Sequence, residues 1–251
     1  MKTFSPPSVW RLLPVCFLLV AGSVQAQYIF GTDNATNSPY VYGHDYNGLS
    51  GATSVVLGDW INSGTTLITN SPAGSSSFGV MATTNSGDVS TAARQVTSDT
   101  NYYLSYQFGY NGINSSGGEY RLILGTVGAD TYNLFYNPSS SGSHWLFNDG
   151  TGNVDTGVTA TSGALLTYNF TRISATSYTV SLSGSGSWSR TATLQGASDL
   201  FSIQATQSGA GNVIGVNSMV VGNVPEPSTW ALLGLGGLGL AVVSLRRMNK
   251  A

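Results

Sequence analysis

Residues 102–110, Tyr-Tyr-Leu-Ser-Tyr-Gln-Phe-Gly-Tyr, constrain the fold more than any other stretch. Tyr102, Leu104, Tyr106, Phe108 and Tyr110 fall on one side of an extended chain, and Tyr103, Ser105, Gln107 and Gly109 on the other. Side chains alternate across a strand with period two, so this is a strand with one aromatic, core-facing side. The pattern returns in Tyr120, Leu122 and Leu124, and in Tyr132, Leu134 and Tyr136. Leu166, Tyr168, Phe170 and Arg172 share a face, as do Tyr178, Val180 and Leu182. The serines and Ala175 between those two runs predict a hairpin. Residues 144–148 read as a short strand ahead of an Asp149-Gly150 turn. Residues 200–205 and 213–221 read as closing strands. The first third is the least regular; within it 55–61, 66–69 and 78–82 read as strands. No stretch has the length and period of an amphipathic helix, and no repeat of fixed period is present. Many short strands without helices predict an all-β antiparallel sandwich or jelly roll.

Only 8% of the 251 residues are charged, against about a quarter in an ordinary globular chain. Glycine, serine, threonine and asparagine supply the polarity. Between Gln27 and Gly222 the cations are Arg94, Arg121, Arg172 and Arg190, set against nine aspartates and Glu119, which leaves −6. A surface with that balance and no lysine is ill suited to phosphate, which excludes nucleic acid as a partner. The single cysteine, Cys16, lies in the leader. The remainder therefore has no disulfide framework and no thiolate metal site, and its stability must come from the core.

Both ends read as addresses. Lys2 and Arg11 precede an apolar segment at 12–24, and Val24-Gln25-Ala26 places small or apolar residues at the positions a signal peptidase reads. Residues 1–26 are expected to be a signal helix cut between Ala26 and Gln27, with the secretion translocon and signal peptidase as partners; an uncleaved anchor is the alternative. Cys16 sits inside the apolar region, which argues against lipoprotein processing. At the other end, Pro225-Glu226-Pro227 is a rigid spacer through which a helix cannot run back. Residues 230–245 then carry no charge, and Arg246, Arg247 and Lys250 close the chain. As a helix the apolar run is roughly 24 Å long at ~1.5 Å per residue, short for a hydrocarbon core of ~30 Å. It is expected to form a single transmembrane helix, with Arg246 and Arg247 as the cytoplasmic stop. The alternative, a core helix of a soluble protein, would seldom be uncharged all round and closed by basic residues.

The order Val224, Pro225, Glu226, Pro227, Ser228, Thr229, then a short apolar helix, then a basic end resembles the PEP-CTERM sorting signal of Gram-negative bacteria. That resemblance implies recognition by a membrane-embedded exosortase, cleavage near the Pro-Glu-Pro, and transient anchoring before transfer to the cell surface, envelope or matrix. It also implies an association with exopolysaccharide-producing, biofilm-forming cells. The same kind of tail is catalogued as an ice-binding protein C-terminal domain, but ice binding needs a flat, regular array of threonines, and none is apparent in the sequence. The domain plan is a leader at 1–26, an exported domain at 27–223 and a sorting segment at 224–251. The exported run of strands resembles concanavalin A-like, LamG-like sandwiches. The resemblance rests on the long strand at 102–110, the hairpin at 165–182 and the last strand running into the tail, and it carries over no binding residue.

Little in the exported domain reads as chemistry. Glycosidases on such folds use carboxylates spaced along one strand; Glu119 has no second carboxylate at that spacing. His44 sits in a loop and His144 beside Trp145 on a strand, and neither has spaced ligands or a serine to serve. The run 148–155 is the best calcium candidate, with Asp149, Asn153 and Asp155 as oxygen donors, although it lacks an EF-type glycine and a bidentate glutamate, and a plain hairpin turn fits equally. Among the aromatics, Trp188 lies in a glycine-serine run and is expected to be an exposed loop residue; Trp188 and Trp145 are the candidate sugar-stacking rings, with core packing as the bland reading. The sequence therefore favours a non-catalytic structural or interaction protein without a cofactor. A carbohydrate-binding module acting on exopolysaccharide is the alternative, and a glycoside hydrolase a remote one.

Overall fold

The structure is a computed structural model that describes residues 28–52, 57–83, 85–96, 102–126, 129–193, 195–196 and 198–223. The expected signal helix, the Ala26/Gln27 cut, the sorting motif, the apolar helix at 230–245 and Arg246-Arg247 lie outside these residues. Among them no helix is long and apolar enough to cross a membrane.

Residues 28–223 form one compact unit, and its described residues make fifteen strands. These are β1 (Tyr28–Asp33), β2 (Ile61–Ser63), β3 (Thr65–Ser71), β4 (Gly74–Met81), β5 (Val89–Gln95), β6 (Tyr102–Tyr110), β7 (Glu119–Thr126), β8 (Ala129–Tyr136), β9 (His144–Asn148) and β10 (Asn153–Thr159). The chain continues with β11 (Leu166–Arg172), β12 (Ser177–Gly184), β13 (Trp188–Thr193), β14 (Leu200–Thr206) and β15 (Ile214–Asn223). They build two antiparallel sheets. One has eight strands, in the order β13-β12-β11-β6-β15-β4-β3 with β1 also on β15; the other has seven, β10-β9-β8-β7-β14-β5-β2. This is the all-β two-sheet sandwich that the alternating pattern predicts.

The alternation decides what lies between the sheets. Tyr102, Leu104, Tyr106, Phe108 and Tyr110 of β6 are all buried, and so are Tyr168 and Phe170 beside them on β11. The facing sheet contributes Tyr120, Leu122, Tyr132, Leu134, Trp145, Phe147, Phe201 and Ile203. The rings meet edge to face or offset: Phe108 stands perpendicular to Trp145 at 5.2 Å, and Tyr106 lies on Phe201 at 4.7 Å. Such pairs add to the apolar burial that holds the two sheets together. Buried hydroxyls find carbonyls, as Tyr102 does at Ser198 (2.7 Å) and Tyr120 at Gly112 (2.7 Å).

Three local expectations are corrected. Of the expected strand over 55–61, the described part, 57–61, pairs as a strand only from Ile61. Leu57 makes an isolated bridge to Val96, and the Gly58 carbonyl turns away to accept from Arg94. The run 148–155 is loop only through Gly152; Asn153 and Asp155 belong to β10, which pairs with β9. Gly150, at φ +89°, makes the reversal, as the Asp-Gly signal implied. Trp188 opens β13 instead of lying in a loop, because β12 offers it a partner at Leu182. No alternation in the chain signals β1 or β5.

Candidate functional site

Asp149 follows β9 and points between the sheets, where it is 1% exposed. Thr151 donates to its Oδ1 from both the backbone nitrogen (3.1 Å) and Oγ1 (2.5 Å). Its Oδ2 accepts from the Tyr178 hydroxyl (2.5 Å) and from Arg190 Nη2 (3.1 Å). Burial pushes this carboxyl up, but the bonds from Thr151 and Tyr178 and the Arg190 charge outweigh it and hold the group below its usual range. Asn153 accepts from Asn148 Nδ2 (2.6 Å). Asp155 accepts from the Gly157 nitrogen (2.7 Å) and sits 3.1 Å from His144 Nδ1, and the Gly157 bond and then His144 keep it charged to lower pH than usual. The oxygens proposed for calcium are thus turned toward protein donors. Among the described residues no group of three or more His, Cys, Asp or Glu could hold a metal.

Of the two candidate rings, Trp145 lies on the expected strand and Trp188 leaves its expected loop. Trp145 is 1% exposed and packed among Phe108, Tyr110 and Tyr136, so it presents no face to a ligand. Trp188 is half-buried, 5.3 Å from Phe147, where it closes the edge of the core. Glu119 begins β7 and pairs with Arg121 two residues on. His44 is exposed in the loop between β1 and β2.

Two features escaped the sequence reading. The first is a pocket of about 360 Å³ lined by Asn47, Gly48, Gly58, Asp59, Trp60, Ile61 and Gln95. Backbone pairing assembles it: Gly48 donates to Trp60, Trp60 to Leu49, and Gly58 to Gln95. Below it Trp60 is fully buried, with the Arg94 guanidinium 4.7 Å over its ring. Arg94 and Asp33, both 0% exposed, pair at 2.5 Å, and Tyr40 donates to the same Asp33 oxygen at 2.7 Å. No spacing rule joins residues 33, 59 and 94. The pocket's polar side chains, the Asp59 carboxylate among them, and the exposed Ile61 suit a small polar ligand with one apolar side.

The second is the outer face of the eight-stranded sheet across β6, β11, β12 and β13. Ser105, Asn169, Ser181 and Ser189 lie side by side in one row, and Tyr103, Thr171, Thr179 and Thr191 in the next. Gln107, Thr167 and Ser183 form a third row, and Ser177 with Thr193 a fourth. The charged residues on these strands, Arg172 and Arg190, alternate to the other side, opposite Tyr178 and Val180. Thr179 and Thr191 share a hydrogen bond (2.7 Å), and Asn169 reaches Ser181 at 3.5 Å. Each strand alone shows only polar residues at every second position; the register turns them into a surface.

Residues 223–247 match the PEP-CTERM protein-sorting motif. The match begins at Asn223, the last residue of β15. It implies an exported protein with a C-terminal membrane-anchoring sorting signal. No curated protein matches the chain at a significant level. Among solved structures, a carbohydrate esterase from the Shiga toxin-encoding bacteriophage phi24B is 13% identical over 66% of this chain and 90% of its own, with a TM-score of 0.46. A protein of unknown function from Shewanella oneidensis MR-1 is 12% identical over 89% of this chain and 98% of its own, at 0.47. The Emp47p carbohydrate recognition domain is 12% identical over 78% and 96%, at 0.48. Likeness at this level says nothing about ligands.

Proposed function

We propose that this is an exported surface or matrix protein, delivered by an exosortase, whose sandwich acts there as a non-catalytic structural or interaction domain. The observation that carries this reading is the sorting motif at 223–247, which follows the last strand without an intervening linker. On this reading the leader is cut after Ala26, and residues 230–245 hold the chain in the membrane until the region of Pro225-Glu226-Pro227 is read. The side chains support the non-catalytic part. Asp33 is committed to the buried Arg94, Asp149 to the partly exposed Arg190, Glu119 to Arg121, and Asp155 to His144. In cells with an exosortase, Pro225→Ala with Glu226→Ala should leave the protein membrane-bound and abolish the processed form in blots of membrane and medium fractions. Processing like the parent's would show that the Pro-Glu-Pro is only a linker.

Carbohydrate binding is a second reading, favoured by the pocket beside Ile61. Asp59 and Gln95 make no side-chain hydrogen bond there among the described residues, which leaves both available to sugar hydroxyls. A glycan array with Asp59→Ala as control tests it; no signal from the parent removes this reading.

A further inference from the structure

The hydroxyl-and-amide face of the eight-stranded sheet has properties a merely solvated face does not need. Exposed sheet faces and edges usually carry lysines and acids, which keep them from pairing with other chains. Here the fourteen outward positions on four neighbouring strands hold five threonines, five serines, one asparagine, one glutamine, Tyr103 and Gly109, and no charge. Beyond the two bonds at Thr179–Thr191 and Asn169–Ser181, and Ser177 to the neighbouring Ser174, these side chains have no side-chain partner among the described residues. The rows repeat at the strand spacing of ~4.8 Å in one direction and at twice the residue rise, ~6.8 Å, in the other.

We infer that this face binds a neutral, polyhydroxylated polymer, an uncharged polysaccharide, laid across β11, β12 and β13. The inference rests on the surface-interaction reading above and is independent of the pocket. Charge matching selects the occupant. An anionic or cationic partner would lose water from its charges and find no counter-charge. An apolar partner would strip water from a dozen hydrogen-bonding groups and replace none of those bonds. A neutral glycan brings its own donors and acceptors at short, regular intervals. A second copy of the same face fits less well: sheets stack ~10 Å apart, and serine and threonine are too short to fill that gap. β13 is the outermost strand on that side, so a long chain has lateral access.

The test uses the full-length protein in detergent, co-sedimented with microcrystalline cellulose and with curdlan as neutral polymers, and gelled alginate as an anionic one. Binding to at least one neutral polymer, insensitive to salt and absent on alginate, is expected. Ser181→Glu and Thr191→Glu, each checked for an unchanged melting temperature, should weaken it about tenfold or more. Thr191→Val, which keeps the shape and removes only the hydroxyl, should weaken it less. His144→Ala, on the opposite sheet, should leave it unchanged. The inference is overturned by no binding to either neutral polymer, by equal binding to alginate, or by loss in His144→Ala as large as in Thr191→Glu. Self-association that Thr191→Glu abolishes would also overturn it and assign the face to a second copy. None of these outcomes bears on exosortase processing, which the fractionation experiment reads separately.

Discussion

Two acid–arginine pairs tie one sheet to the other, and they are built differently. Asp33 ends β1 in the eight-stranded sheet and meets Arg94 of β5 in the seven-stranded one, with both side chains at 0% exposure. Asp149 follows β9 in the seven-stranded sheet and meets Arg190 of β13 in the other, but Arg190 is 28% exposed. The first pair is dry and embedded in a network. Arg94 also reaches the Gly58 carbonyl through Nη2 (2.6 Å) and Nε (3.1 Å), while Asp33 also accepts from the Asn34 nitrogen (2.8 Å) and from Tyr40. Tyr40 in turn accepts from the Gly51 nitrogen (2.8 Å), so the loop between β1 and β2 is organised around the pair. In the second, Asp149 would keep Tyr178 and Thr151 if Arg190 left. A dry pair holds the loop that shapes the pocket; a half-wet one closes a hairpin.

Breaking the dry pair should have the largest effect. Arg94→Met leaves Asp33 buried without its counter-charge, and removing one partner of such a pair typically costs about 3–5 kcal/mol. Urea unfolding of the parent and the variant measures this. A loss below about 1 kcal/mol would mean that water reaches Asp33 and that the two pairs do not differ as described.

Arg190→Met should cost less, about 2 kcal/mol, because three other donors, two from Thr151 and one from Tyr178, remain on Asp149 and the guanidinium was partly solvated. The pair also carries a pH signature. The Asp149 carboxyl is held below its unfolded-chain range, so its contribution is complete above about pH 4 and is lost as pH falls through the lower folded-state value. The stability gap between the parent and Arg190→Met should therefore narrow below about pH 4, as read by urea titrations at stepped pH. A gap that widens on acidification would show that Arg190 does not act through the Asp149 charge.

The smallest effect is expected from calcium. The Asp149 oxygens already accept four protein donors, and a cation would have to displace them. Adding millimolar calcium, or a chelator, should move the melting temperature by less than about 1 °C. A rise of several degrees that Asp149→Asn removes would restore the turn after β9 as a cation site.

The strands with an aromatic every second residue were legible in the chain. β6, β7, β8, β11 and β12 each lie over the residues that the alternation marks, because a half-buried strand cannot hide its period, and β9, β14 and β15 lie over runs read as short or closing strands. β1 and β5 were not legible. Tyr28–Asp33 has no sustained alternation, and Val89–Gln95 buries serine, alanine and arginine where apolar bulk was the cue. Trp188 misled because a run of glycine and serine reads as loop until the register of β12 gives it a partner.

The sequence by itself determined the two-sheet class, through the period of its apolar residues, and the sorting motif, through a short linear pattern that needs no folded context. Only the tertiary structure decided which groups meet. Asp33 finds Arg94 across 61 residues, and Asp149 finds Tyr178 across 29. The neutral face exists only when β6, β11, β12 and β13 come into register. The physical reason is that period and linear motifs are local, whereas ion pairs and surface arrays depend on which strands pair, and strand order is fixed by the packing of the whole core.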